Sequence, residues 1–81
     1  MAQDNYQPIS CAYYDELEAL AVQKRRNTVQ YYDLDGNETT LRDVMITDFY
    51  VDNKVEYMKL DDGHDVRLDK LIAVNGKPMK S

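Results

Sequence analysis

The sequence predicts a mainly β domain with one N-terminal α-helix, the rest forming a small, bent antiparallel barrel of about five short strands. Apolar residues recur three and four positions apart only between Tyr13 and Arg26, and from Asn27 onward the period falls to two. Turn pairs then punctuate the chain at Asp35-Gly36, Asp62-Gly63 and Asn75-Gly76, at intervals that suit short strands. With 81 residues, the chain is expected to form one domain, 1–81, whose small core leaves modest stability.

In the helical segment Tyr13, Leu17, Leu20 and Ala21 share one face with the aliphatic stem of Lys24, while Asp15, Glu16 and Glu18 lie beside or opposite it. Pro8 restricts Gln7 to extended geometry, so the helix starts later, with Ser10 the best N-cap and Cys11 an alternative. The acids then fall in the first two turns and Lys24, Arg25 and Arg26 in the last, each matching the sign that the helix end favours. A helix of this length, spanning about 11–26, is too short to persist alone, so it is expected to lie as a lid on the sheet.

Thr28 to Leu34 is the first strand, and its adjacent Tyr31 and Tyr32 point to cover on both faces. After Asp35-Gly36, Glu38 to Ile46 returns with Leu41 inward, and the out-of-phase Val44 and Ile46 predict a bend or bulge near Asp43. The third strand runs either side of Asp52-Asn53, a turn or a second break, and is clearest from Lys54 to Leu60. Asp61-Asp62-Gly63 turns the chain, His64 to Leu68 returns with Val66 and Leu68 inward, Asp69-Lys70 is a turn, and Leu71 to Val74 closes the sheet near residue 75. Lys77 to Ser81 reads as a frayed tail. Leu17, Leu20, Val55, Val66 and Leu68 are the expected common core.

Composition narrows the function. A net charge of −5 argues against nonspecific nucleic-acid binding, which relies on clustered Lys and Arg to displace phosphate counterions. Residues 1–23 hold four acids and no base, and residues 27–81 hold eleven acids against seven bases, so the charge suits solubility and also a basic protein partner. Seven Tyr against one Phe and no Trp supply rings with polar rims, suited to half-buried sheet faces and interfaces. One cysteine excludes an internal disulfide framework and fits a reducing cytoplasm. No secretory leader or membrane-length apolar run is visible. His64 and Cys11 have no partners at ligand or triad spacing, and Asp35-Gly36-Asn37-Glu38 is too sparse for calcium. The expectation is a non-enzyme with no cofactor, metal, membrane or small-molecule substrate.

Four segments carry a resemblance to a known family: Tyr6-Gln7-Pro8-Ile9-Ser10-Cys11, Tyr14-Asp15-x-Leu17-Glu18, Val55-Glu56-Tyr57 and Arg67-Leu68-Asp69-Lys70-Leu71. In this order and spacing, over about residues 5–75, they resemble the Rho-binding antiterminator family (Rof/YaeO). Ser10 stands where Asn is commoner, Ala12-Tyr13 where an acidic pair is, and Leu71 where Ile is usual. The resemblance implies an N-terminal helix on a bent five-stranded Sm-like barrel. It also implies binding to the transcription termination factor Rho at its N-terminal primary RNA-binding region, which blocks RNA loading and so inhibits termination. Carried onto this chain, the partner-binding residues are Tyr14, Asp15 and Glu18, with Ser10 either contacting Rho or capping the helix, and Lys54 meeting an acidic residue at the edge of the Rho surface. The alternatives are an Sm-like RNA-binding module that stacks bases on Tyr rings, or an adaptor for another protein.

Overall fold

The computed structural model describes residues 11–78; the lead-in with Ser10 and the last three residues of the expected tail lie outside them. The helix α1 spans Cys11–Val22 and is followed by strands β1 (Arg26–Tyr32), β2 (Glu38–Asp52), β3 (Val55–Leu60), β4 (Asp65–Arg67), a 3-10 turn at Leu68–Lys70, β5 (Leu71–Val74) and β6 (Lys77–Pro78).

α1 ends four residues earlier than its basic cluster led one to expect. The N–H of Lys24 donates to the carbonyl of Ala21 and that of Arg25 to Leu20, with Lys24 at φ +56°. These are the paired bonds of a Schellman stop, here with Lys in the left-handed position that Gly normally fills. Lys24 and Arg25 therefore follow the helix, and Arg26 opens β1. Tyr13 and Leu17 are buried as their spacing requires, whereas Leu20 and Ala21 pack only partly against the core.

β2 is one strand of fifteen residues where two separate pieces were expected. Its first half pairs with β1 and its second half with β3, and the chain bends between the two ladders. The expected bulge is there: Asn27 pairs with Val44 and Val29 with Leu41, so Arg42 and Asp43 together oppose Thr28, and Asp43 sits at φ +60°. The extra residue puts Leu41, Val44 and Ile46 on one side, which accounts for their broken alternation in the sequence. A second shift, between Ile46 and Asp48, restores the phase for Phe49. Asn53 and Lys54 both have positive φ between paired Asp52 and Val55, the geometry of a two-residue hairpin turn, so the turn or break expected at Asp52-Asn53 is a turn, shifted by one residue, with Asp52 still in β2 and Lys54 ahead of β3.

Among the described residues the sheet has six strands in the order β4-β3-β2-β1-β5-β6 and is open, which corrects the five-stranded Sm-like barrel. The correction has a local cause. β5 lies between β1 and β6, because Asn75-Gly76 folds Lys77 and Pro78 back onto Ala73 and Val74. The flank of β5 that a closing strand would need is thus occupied at Ala73 and Val74, and β4, only three residues long, pairs with β3 alone. Lys77 and Pro78 do not fray either: the Tyr13 hydroxyl donates to the Lys77 carbonyl (3.1 Å), and the Lys77 ammonium pairs with Glu16.

The core gathers Tyr13 and Leu17 of α1 with Val29, Val44, Ile46, Met58, Leu60, Val66, Leu68, Leu71 and Val74. Val66 and Leu68 take their expected places, while Val55, beside the β2–β3 turn, is only half-buried and stands outside the cluster. Asn27, a buried polar residue, is satisfied by donating to the carbonyls of Arg25 and Val44 and accepting from Asn75, which ties the helix exit to the β5–β6 turn.

Candidate functional site

On α1, Tyr14 and Glu18 stand one turn apart, with Asp15 beside Tyr14 and three residues before Glu18. Burial of Tyr13 and Leu17 against the sheet sets the helix rotation, which leaves Asp15 and Glu18 exposed and Tyr14 at the margin. Among the described residues neither Asp15 nor Glu18 forms an ion pair, in contrast to Glu16, which holds Lys77. Both carboxylates are therefore available to an outside cation, while Glu16 is committed to the fold.

Tyr14 is half-buried because its ring leans on Phe49 of β2, with centroids 5.2 Å apart and planes at 37°. Its hydroxyl is pushed above the ordinary tyrosine value first by burial and then by the negative charges of Glu18 and Glu56. That places Glu56 of β3, directly across from Val51 of β2, close enough to act electrostatically on the same phenol as Glu18. A half-exposed aromatic ring whose surroundings carry carboxylates can accept a cation stacked on the ring and paired beside it.

Lys54 occupies the second position of the β2–β3 turn at φ +67°, exposed and without an ion pair among the described residues. The structure brings Tyr14, Asp15 and Glu18 together and puts Lys54 at the tip of the hairpin whose strands carry Phe49, Val51 and Glu56. Ser10 lies outside the described residues. Phe49, Val51 and Glu56 are neighbours of the site that sequence reading left unassigned; the one available signal was the Phe49-x-Val51 spacing, which continues the inward row once the shift after Ile46 is counted.

The outer face of the β2–β3–β4 ladder is internally paired. Tyr50 and Tyr57 stack with centroids 5.0 Å apart and planes at 7°, and the Lys59 ammonium sits 5.3 Å from the Tyr50 ring. The Tyr50 hydroxyl donates to Asp65 at 2.7 Å, and this bond, followed by burial, pushes its pKa up to about 12. Arg67 holds Asp69 through two bonds. The Tyr50, Tyr57, Lys59 and Asp65 side chains link neighbouring strands of the ladder, while the Arg67–Asp69 pair is local to β4 and the 3-10 turn.

Among the described residues no group of three His, Cys, Asp or Glu is placed to hold a metal ion, and no helix is long and apolar enough to cross a membrane. No protein-family model and no curated protein matches this chain.

Proposed function

We propose that this protein binds the transcription termination factor Rho over its N-terminal primary RNA-binding region and so inhibits termination by blocking RNA loading. The observation that carries the reading is the half-buried Tyr14 with the exposed Asp15 and Glu18 on one helical face, both carboxylates unpaired among the described residues, in a chain of net charge −5. The residues of that triplet belong to one of the four segments that resemble the Rho-binding antiterminators. Carboxylates repel phosphate and attract the Lys and Arg that receive it, so the chemistry favours occupying an RNA-binding protein over binding RNA.

A competition experiment tests this. Increasing amounts of the protein should displace a labelled single-stranded RNA from Rho, with weaker displacement at higher salt, while the protein alone leaves the RNA unbound. Undiminished RNA affinity at the primary sites of Rho under saturating protein would dismiss the occlusion mechanism.

A further inference from the structure

The inner side of the sheet continues past the point where the core stops. Along the second half of β2 the inward row is Ile46, Phe49 and Val51, set opposite Leu60, Met58 and Glu56 of β3. Exposure climbs along that row: Ile46 is buried, Phe49 is partly covered by Tyr14, and Val51 is 65% exposed. A β-branched side chain, next in line after a phenylalanine that packs on the core, is left without cover by the described residues. The charge around this position is mostly negative, since Glu56 lies opposite Val51, Asp52 follows it, and Glu18 and Glu56 both act through their charge on the Tyr14 hydroxyl, with Lys54 at the hairpin tip as the opposing charge.

We infer that Val51, Phe49 and Tyr14 form an apolar seat for one aliphatic or aromatic side chain of a basic protein segment, with Asp15 and Glu18 receiving the Lys or Arg beside it. This rests on the Rho-binding reading and deepens it, because contact becomes composite, an apolar anchor inside an acidic rim, rather than electrostatic alone. Charge complementarity selects the occupant. A nucleic acid would bring phosphate against the acids. A second copy, meeting this one through the same patch across a two-fold axis, would set two mostly acidic surfaces against each other. An added β-strand meets a backbone donor already used, since the Phe49 N–H donates to the Asp48 carboxylate at 2.8 Å.

The test titrates Rho with the parent protein, Val51→Ser, Val51→Ile, Val51→Lys and Asp15→Ala at low and high salt, with melts of each free protein. Val51→Ser should bind roughly tenfold more weakly, Val51→Ile about as well as the parent, and Val51→Lys worst of all, with melting unchanged. The Val51→Ser loss should persist at high salt while the Asp15→Ala loss shrinks, because salt screens only the second. Parent-like binding by both Val51→Ser and Val51→Lys, with Asp15→Ala weakened, overturns the seat and leaves the Rho reading standing. No Rho binding by the parent removes that reading and the seat with it. Lower melting of both the Ser and Lys variants would mean that the chain itself covers Val51, and parent self-association abolished in both would mean that a second copy does; either result overturns the assignment to a basic partner.

Discussion

Leu17 and Leu20 sit three positions apart on α1, yet they do different things. Leu17 is 1% exposed among Tyr13 and the inward residues of the sheet, whereas Leu20, in the last turn, only abuts the core and lends its carbonyl to the helix stop. Cutting Leu17 to Ala leaves a cavity that the packed sheet cannot fill, at a cost of about 3 kcal/mol. Leu20→Ala removes partly solvated methyls and should cost about 1 kcal/mol, less than a full core position would. Chemical denaturation ranks the two: a midpoint for Leu17→Ala equal to the parent's would take Leu17 out of the core, and a larger fall for Leu20→Ala would reverse their roles. In a domain of this size a loss of about 3 kcal/mol consumes much of the stability, so Leu17→Ala is best measured in the cold or with a stabilising co-solvent.

The bend in β2 is held by charge as well as by packing. Arg26, the first residue of β1, donates to the Asp43 carboxylate (3.1 Å), to the Asp43 carbonyl and to Asp61 (2.6 Å), and Asp61 also accepts the Met45 N–H at 2.9 Å. A residue that reads in the sequence as a neutral turn position, Asp61, thus fastens the bulge at Asp43 to the β3–β4 turn. The Met45 N–H first, and then the Arg26 side chain, hold the Asp61 carboxyl below its ordinary 3.8, and Asp33 is held down in the same direction by backbone N–H groups of its own turn, that of Asn37 foremost. For carboxyls depressed in the folded state, the stabilisation is fully present above the ordinary value and disappears as pH falls through the folded value. Melting temperature should therefore drop steepest below pH 3.8, and Asp61→Asn should start lower at neutral pH and fall less over that range. Asp61 is exposed and Asp33 only partly covered, so the effect is modest and fades with salt. Superimposable pH profiles for Asp61→Asn and the parent would show that the clamp contributes nothing.

Across the molecule, the acids divide into those spent on the fold and those left over. Glu16, Asp43, Asp61, Asp65 and Asp69 hold cations of the chain itself, while Asp15 and Glu18 pair with nothing among the described residues. That division predicts separable losses. Asp15→Ala should weaken Rho binding by about 2 kcal/mol, roughly thirtyfold, with melting unchanged. Tyr14→Phe keeps the packing on Phe49 and removes only the hydroxyl, so it reports on the partner more cleanly than Tyr14→Ala. Lys54→Gly is the sharpest case, since Gly suits the positive φ that Lys tolerates at a cost, and the variant should melt higher while binding Rho less well. Asp35→Ala, in the β1–β2 turn, is the appropriate control, and Asp61→Ala is not, given its bonds to Met45 and Arg26. Parent-like titrations for Asp15→Ala and Lys54→Gly, with normal melts, would move the interface elsewhere.

What could be read from the chain was what local chemistry decides. The apolar spacing of Tyr13 and Leu17 set the helix face, Asp-Gly and Asn-Gly pairs set the turns, Leu71–Val74 coincides with β5, and the broken alternation from Leu41 to Ile46 located the bulge near Asp43. Tyr14, Asp15 and Glu18 were legible as one patch because a single helical turn places them together. Lys24 in a left-handed helix stop was not, since propensity assigns that position to Gly and the competing basic run pointed the other way. Nor was the open sheet, because closure depends on contacts between distant segments: where two bulges steer β2, how far the short β4 reaches, and whether Lys77 and Pro78 take the flank of β5. No window of sequence contains those pairings, so periodicity passed over β6 and could not say whether the last strand meets the first. The meeting of Tyr14 with Phe49 is of the same kind, a contact that exists only after α1 docks on a sheet whose register has been chosen by the turns and the core.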